Sequence, residues 1–204
     1  MNTTVGLLFL AITSLSNNSA LAAEPANNFL ENTTENVVLS VPFVHQIDDL
    51  PEDKKAEIRT TACGPAALTM IFNYMGMDVS LYEVIEKLPT EVYVRGRMFY
   101  RLDKGPKEFE LAGVQFKNSP KAIFEQLKAE KPVVLNIQNY DGITGHAVVV
   151  VGMKGFDGEN ARSLIVHDPW VGPYREFEYI NANTLKQPEG YNLPIGILDP
   201  FVIE

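Results

Sequence analysis

From Pro132 onward the hydrophobic pattern of the chain changes period. "PVVLNIQ" (132–138), "HAVVVVGM" (146–153), "SLIVHDPW" (163–170) and "YREFEYI" (174–180) are short runs rich in Val and Ile, bounded by turn residues. Such runs read as strands, and their close spacing favours antiparallel neighbours. Before Pro132 the apolar residues recur at helical spacing instead. In "ACGPAALTMIFNYMG" (62–76), Ala67, Leu68, Ile71, Phe72 and Met75 share one face. Pro65 is tolerated in the first turn, and Gly76 is suited to end the helix. "SLYEVIEKLP" carries a capping box in Ser80 and Glu83, and Pro89 stops it. "SPKAIFEQLKAEKP" has Ser119 as its N-cap and Pro120 at its first position. Helices followed by strands point to an α+β fold, a helical half packed on a C-terminal antiparallel sheet.

Three stretches are harder to read. "NVVLSVPFVHQ" is expected to be a strand ending near Gln46, and "IDDLPEDKKAEIRT" a charged loop long enough to suggest function. Residues 90–118 carry Arg95, Arg97 and Arg101 and match no clear pattern. They are expected to be solvated, with a carboxylate-binding role the sharper alternative.

The beginning of the chain reads as a targeting segment. "VGLLFLAITSLS" has the length of a signal-peptide apolar region, and "ALAAEP" offers small residues for cleavage after Ala22 or Ala23. The charged start usual for such segments is missing from "MNTT". The expected organisation is a signal peptide at 1–23, a polar flexible segment at 24–36, and one domain at 37–204. The protein would then be exported to a periplasmic or extracellular space, with no stable membrane insertion after cleavage. With 46% hydrophobic residues and 21% charged residues, a core forms without disulfides. A net charge of -9 argues against nucleic acid as a partner.

Export makes the single cysteine, Cys63, informative. Exported proteins that use cysteine for stability use it in pairs, so a lone one suggests an intermolecular bridge or a reactive thiol. A buried, inert cysteine is the bland alternative. Position favours reactivity, because Cys63 stands at the front of a helix, where dipoles and unpaired N–H groups stabilise a thiolate. Such a nucleophile needs a base and a group to orient it. If "HAVVVVGM" and "SLIVHDPW" form a hairpin, cross-strand residue numbers sum to about 314, which sets His146 opposite Asp168 with Cβ atoms ~4.5–5.5 Å apart. His167 then points to the other face, as His45 does relative to Gln46. Gln46 has an amide suited to steady an oxyanion, although most glutamines are surface residues. A metal site built from Cys63, His146 and Asp168 is a weaker reading, since no short Cys/His spacing is present.

The order Gln46, Cys63 in "ACGPAALTM", His146 in "GHAVVVVG" and Asp168 in "VHDPW" resembles the papain-like cysteine peptidases. Within them it is most similar to the bacteriocin-processing, double-glycine-leader peptidase-like family. The likeness spans roughly residues 40–180. It implies a papain-like α+β domain acting on a peptide or protein without a cofactor. Cys63 would be the nucleophile, His146 the base, Asp168 its orienter and Gln46 the oxyanion donor. The leader-processing enzymes are usually fused to an ATP-driven transporter, and neither part is present in this sequence. Two rivals remain: an acyl-transferring enzyme of phytochelatin synthase-like type on the same residues, and a peptide-binding module without chemistry.

Overall fold

The computed structural model describes residues 33–89, 91–94, 97–98, 101–140, 145–187 and 195–204. The expected signal peptide and most of the expected flexible segment lie outside them, as do Arg95 and the side chain of Arg97. The first element among the described residues is β1 (Glu35–Val38), so an ordered strand already begins within the segment expected to be loose. β1 stops well short of Gln46. Pro42 has no N–H for a ladder, and the Val41 carbonyl is taken by the His167 ring, so residues 39–45 run as an irregular strap.

The expected loop at 47–60 contains a helix, α1 (Glu52–Ile58). Glu52 and Asp53 lie in its first turn and Lys55 in its last, which suits the helix dipole, and fully buried Ile58 pins it down. With Ala56 and Ile58 as its only apolar residues, this charged heptad leaves no periodic signal.

The helix bearing the cysteine is α2 (Cys63–Tyr74). It ends as its glycine predicts. Gly76 has φ +86°, its N–H donates to the Asn73 carbonyl, and the Met77 N–H donates to the Phe72 carbonyl. This is the double-bonded Schellman termination. The helix is not amphipathic, however. Every residue from Cys63 to Phe72 is buried, while Met75 of the expected stripe is 44% exposed. The cause is enclosure on both sides. α2 packs on a central strand, on α3 (Leu81–Lys87) and on a 3-10 helix at Leu102–Phe109. A Cβ on Gly105 would come within 2.8 Å of Leu68 Cδ1 and Leu88 Cδ2, so glycine permits that 3-10 turn to lie against α2. Burying side chains such as Leu68, Ile71 and Phe72 contributes ~1.5–3 kcal/mol each.

α3 starts with the expected capping box: Glu83 N–H donates to Ser80 Oγ, and Ser80 N–H donates to Glu83 Oε2 at 2.8 Å. The difficult stretch holds β2 (Tyr93–Val94), β3 (Arg97–Met98), the 3-10 helix and β4 (Gly113–Gln115). Arg101 pairs there with buried Asp103. α4 (Pro120–Lys128) is capped by Ser119 as expected.

The strands then follow: β5 (Val133–Gln138), β6 (His146–Phe156), β7 (Ser163–Asp168), β8 (Gly172–Asn181), β9 (Thr184–Lys186) and β10 (Ile195–Ile203). They make an 8-stranded antiparallel sheet in the order β1-β6-β5-β10-β9-β8-β7, with β4 added to β10. β7 also pairs with β6, so the path from β6 through β5, β10, β9, β8 and β7 closes on itself. The fold is thus a mixture of helix and antiparallel sheet. The two halves are less separate than expected, because β1 and β4 from the first half complete the sheet.

Candidate active site

α2 delivers the thiol. Its N-cap residue, Ala62, has no side chain able to satisfy the first turn, and the Gly64 N–H is left to meet the Cys63 sulfur. The Cys63 sulfur bonds the His146 side chain and the backbone N–H groups of Gly64 and Ala147. Cys63 is 5% exposed and belongs to the buried core cluster. Burial pushes the thiol pKa up. The His146 hydrogen bond and charge, with the two N–H groups, outweigh it and hold the thiol below its ordinary value.

β6 and β7 deliver the imidazole and the carboxylate. His146 opens β6 and Asp168 closes β7, so both stand at the same end of the hairpin. The register differs from the expected one. Val149 pairs with His167 and Val150 with Val166, which places Asp168 level with Val148, two positions along from His146. An even shift keeps His146 and Asp168 on one face and turns the expected direct opposition into a diagonal. A bulge between Val150 and Gly152 moves the remaining pairs by one more residue.

The side chains span the diagonal. His146 Nε2 lies 2.8 Å from Asp168 Oδ1, which leaves Nδ1 to face the thiol. The Trp170 N–H donates to the same Oδ1 at 2.9 Å, and the Tyr140 hydroxyl donates to Oδ2. Burial alone would raise the Asp168 pKa, but His146, Tyr140 and Trp170 hold it below the usual carboxylate value. Burial would likewise depress His146, yet Asp168 and Cys63 raise it to about 9. A lowered thiol beside a raised imidazole is the electrostatic setting of a thiolate–imidazolium pair. The three side chains stand in a row with the imidazole in the middle. Among the described residues, no group of three or more His, Cys, Asp or Glu converges as metal ligands would.

Gln46 is 1% exposed and is held at this end of the molecule by its neighbours. Its backbone N–H donates to the Pro169 carbonyl at 2.8 Å, one residue past Asp168. Its Nε2 donates to the Arg59 carbonyl at 2.5 Å, four residues before Cys63, while Oε1 is buried with no partner. One amide hydrogen remains beyond the bond to Arg59.

His167 falls where the alternation argument sends it, whereas His45 lies in the irregular strap and outside any strand. His45 is partly exposed, and its Nε2 contacts the Trp170 carbonyl at 3.1 Å. His167 is fully buried on the face away from Asp168. Its Nε2 donates to the Val41 carbonyl at 2.9 Å, and its Nδ1 accepts from Tyr174 N–H at 3.1 Å. Two residues at the site escaped sequence reasoning. Tyr140 touches both Asp168 and His146, and the buried Gln187 side chain lies near Tyr140. Neither belongs to a motif, and only the closing of the sheet brings Gln187 near.

A family model described as the Peptidase_C39 like family matches residues 38–187. The chain belongs to that family, a group of cysteine-peptidase type. No curated protein matches the sequence closely enough to add a named relative.

Proposed function

We propose that this protein is a papain-like thiol peptidase, similar in type to the leader-processing enzymes, with Cys63 as nucleophile. The observation that carries the reading is the unbroken row of hydrogen bonds from the Cys63 sulfur through His146 to Asp168. In the reaction, the Cys63 thiolate attacks a peptide carbonyl while His146 holds the proton. The remaining amide hydrogen of Gln46 and a backbone N–H at the front of α2 steady the oxyanion. His146 then protonates the leaving amine, and the acyl group stays on sulfur. In the second half, His146 takes a proton from water, which attacks the thioester and releases the acid. Asp168 keeps the imidazole in the tautomer and plane that serve Cys63.

Incubating the mature protein with denatured proteins and a peptide library, and reading new termini by mass spectrometry, tests this. New termini lost in Cys63→Ala protein are expected. Termini that persist in that variant, or binding without cleavage, overturn it; ligated or amine-capped products would assign acyl transfer instead. Export is part of the proposal and rests on the apolar run from Val5 to Ser16 and the small residues at Ala20–Ala23. Intact mass of the extracytoplasmic protein should show a chain starting after Ala22 or Ala23, and one still starting at Met1 contradicts it.

A further inference from the structure

Tyr140 lies two residues past β5, in a polar stretch, and is 1% exposed. Its ring stacks on the His146 imidazole with centroids 4.7 Å apart and planes inclined by 16°, and it also stacks with Phe177. Its hydroxyl donates to Asp168 Oδ2, and the buried Gln187 side chain lies near it. Ionised Asp168 can only accept, so the phenol proton points to it. Burial, then the Asp168 charge, hold that phenol protonated by raising its pKa far above the ordinary value.

We propose that Tyr140 is a positioning residue for the Cys63–His146–Asp168 row, its ring fixing the imidazole plane and its hydroxyl fixing the carboxylate. The proposal rests on the peptidase reading for its turnover arm, but not for its alkylation arm. The physical case has two parts. Asp168 is held through Oδ1 by Trp170 N–H and His146, and through Oδ2 by Tyr140. A carboxylate gripped at both oxygens cannot swing about its Cβ–Cγ bond and loosen its hold on Nε2. The imidazole, in turn, is restrained at its nitrogens but could still tilt out of plane. A parallel ring at stacking distance prevents that, and its π face attracts the ring once it is protonated.

The two parts are separable by mutation. Tyr140→Phe keeps the ring and removes the hydroxyl, while Tyr140→Leu removes both. The measurements are kcat and KM on a cleaved peptide, and the pH midpoint for iodoacetamide alkylation of Cys63, each on folded protein verified by circular dichroism. Tyr140→Phe should lower kcat about tenfold, the effect of one lost charge-assisted hydrogen bond, with KM unchanged. Its alkylation midpoint should stay near that of the parent because the stacked ring remains. Tyr140→Leu should lower kcat by about 100-fold or more and raise the alkylation midpoint by about one pH unit. A role confined to packing would lower the melting temperature and leave kcat and the midpoint of the folded fraction alone, and that result overturns the proposal. If Tyr140→Leu does not fold, the isosteric Phe variant decides through kcat alone. If the parent cleaves no peptide, the peptidase reading fails by itself. The Leu alkylation midpoint then decides on Tyr140: a rise supports positioning and an unchanged value refutes it.

Discussion

Asp168 Oδ1 lies 2.8 Å from His146 Nε2 although the two residues are not partners across the β6–β7 hairpin. The register places Asp168 level with Val148, and the carboxylate reaches diagonally to the imidazole. Because strand side chains alternate with period two, a shift by two residues preserves the meeting, whereas a shift by one would have sent Asp168 to the opposite face with His167.

Under the proposed mechanism, replacing the Asp168 carboxylate should therefore reduce turnover while leaving the fold in place. Asp168→Asn is expected to lower kcat by about 10²–10⁴, with KM nearly unchanged, because the imidazole loses its anionic partner and its enforced tautomer. Steady-state kinetics check this. A variant with parental kcat would remove Asp168 from the mechanism.

Gln46 offers a different test, since it has a structural and a chemical part to play. Its Nε2 already holds the Arg59 carbonyl, so Gln46→Ala should cost about 1 kcal/mol of stability for that bond. If the second amide hydrogen serves the oxyanion, kcat should also fall by about 10²–10³. Thermal melts together with kcat separate the two, and a stability loss without a kcat loss would make Gln46 a brace only.

Turnover and alkylation should part company at alkaline pH. Above the raised His146 value of about 9, the imidazolium proposed to protonate the leaving amine is lost, while Cys63 remains a thiolate. kcat/KM for peptide cleavage is thus expected to fall through pH 9, and the iodoacetamide rate is expected to hold. At the acidic limb both should fall together, as the thiol takes up its proton. A parallel alkaline fall in both rates would contradict the assignment of His146 as general acid.

His167 should behave as a structural residue. It is buried, and burial holds its pKa below 6.5 despite the bonds that it makes. The folded state therefore binds fewer protons than the unfolded chain, and stability from this group falls as pH drops below about 6.5. His167→Ala leaves the Val41 carbonyl and the Tyr174 N–H without partners and should cost at least about 2 kcal/mol. The melting temperature should fall and lose part of its slope between pH 6.5 and 5, while kcat of the folded fraction should stay within about threefold, well under the loss from a reacting group.

Much of the site is legible in the sequence because it depends on local rules. The thiol at a helix front, the Schellman glycine at 76, the capping box at Ser80 and Glu83, and the alternation that separates His146 and Asp168 from His167 all follow from spacing within one element. The register differs from the expected one because the hairpin turn and the bulge after Val150 lie outside what alternation specifies. The burial of α2 on all sides depends on residues 102–109, whose 3-10 turn has no periodic apolar signal. α1 has Ile58 as its one buried residue, and β10 is placed by β4 and β5, partners far away in sequence. Tyr140 and Gln187 are the clearest case: Tyr140 reaches Asp168 from the connection between β5 and β6, and Gln187, just past β9, comes near Tyr140 only through the closed path of strands.

The central claim is that Cys63 is a thiolate held by His146, and the pH dependence of its alkylation in the folded protein tests it most directly. Burial alone would raise the thiol, whereas the His146 bond and the Gly64 and Ala147 N–H groups lower it. An ordinary thiol of pKa ~8.5 is under ~1% ionised at pH 6. Native Cys63 should label readily at that pH, and His146→Ala should move the midpoint upward. A midpoint at or above the ordinary thiol value, or labelling that begins only when the protein unfolds, would make Cys63 a packing residue and end the peptidase account.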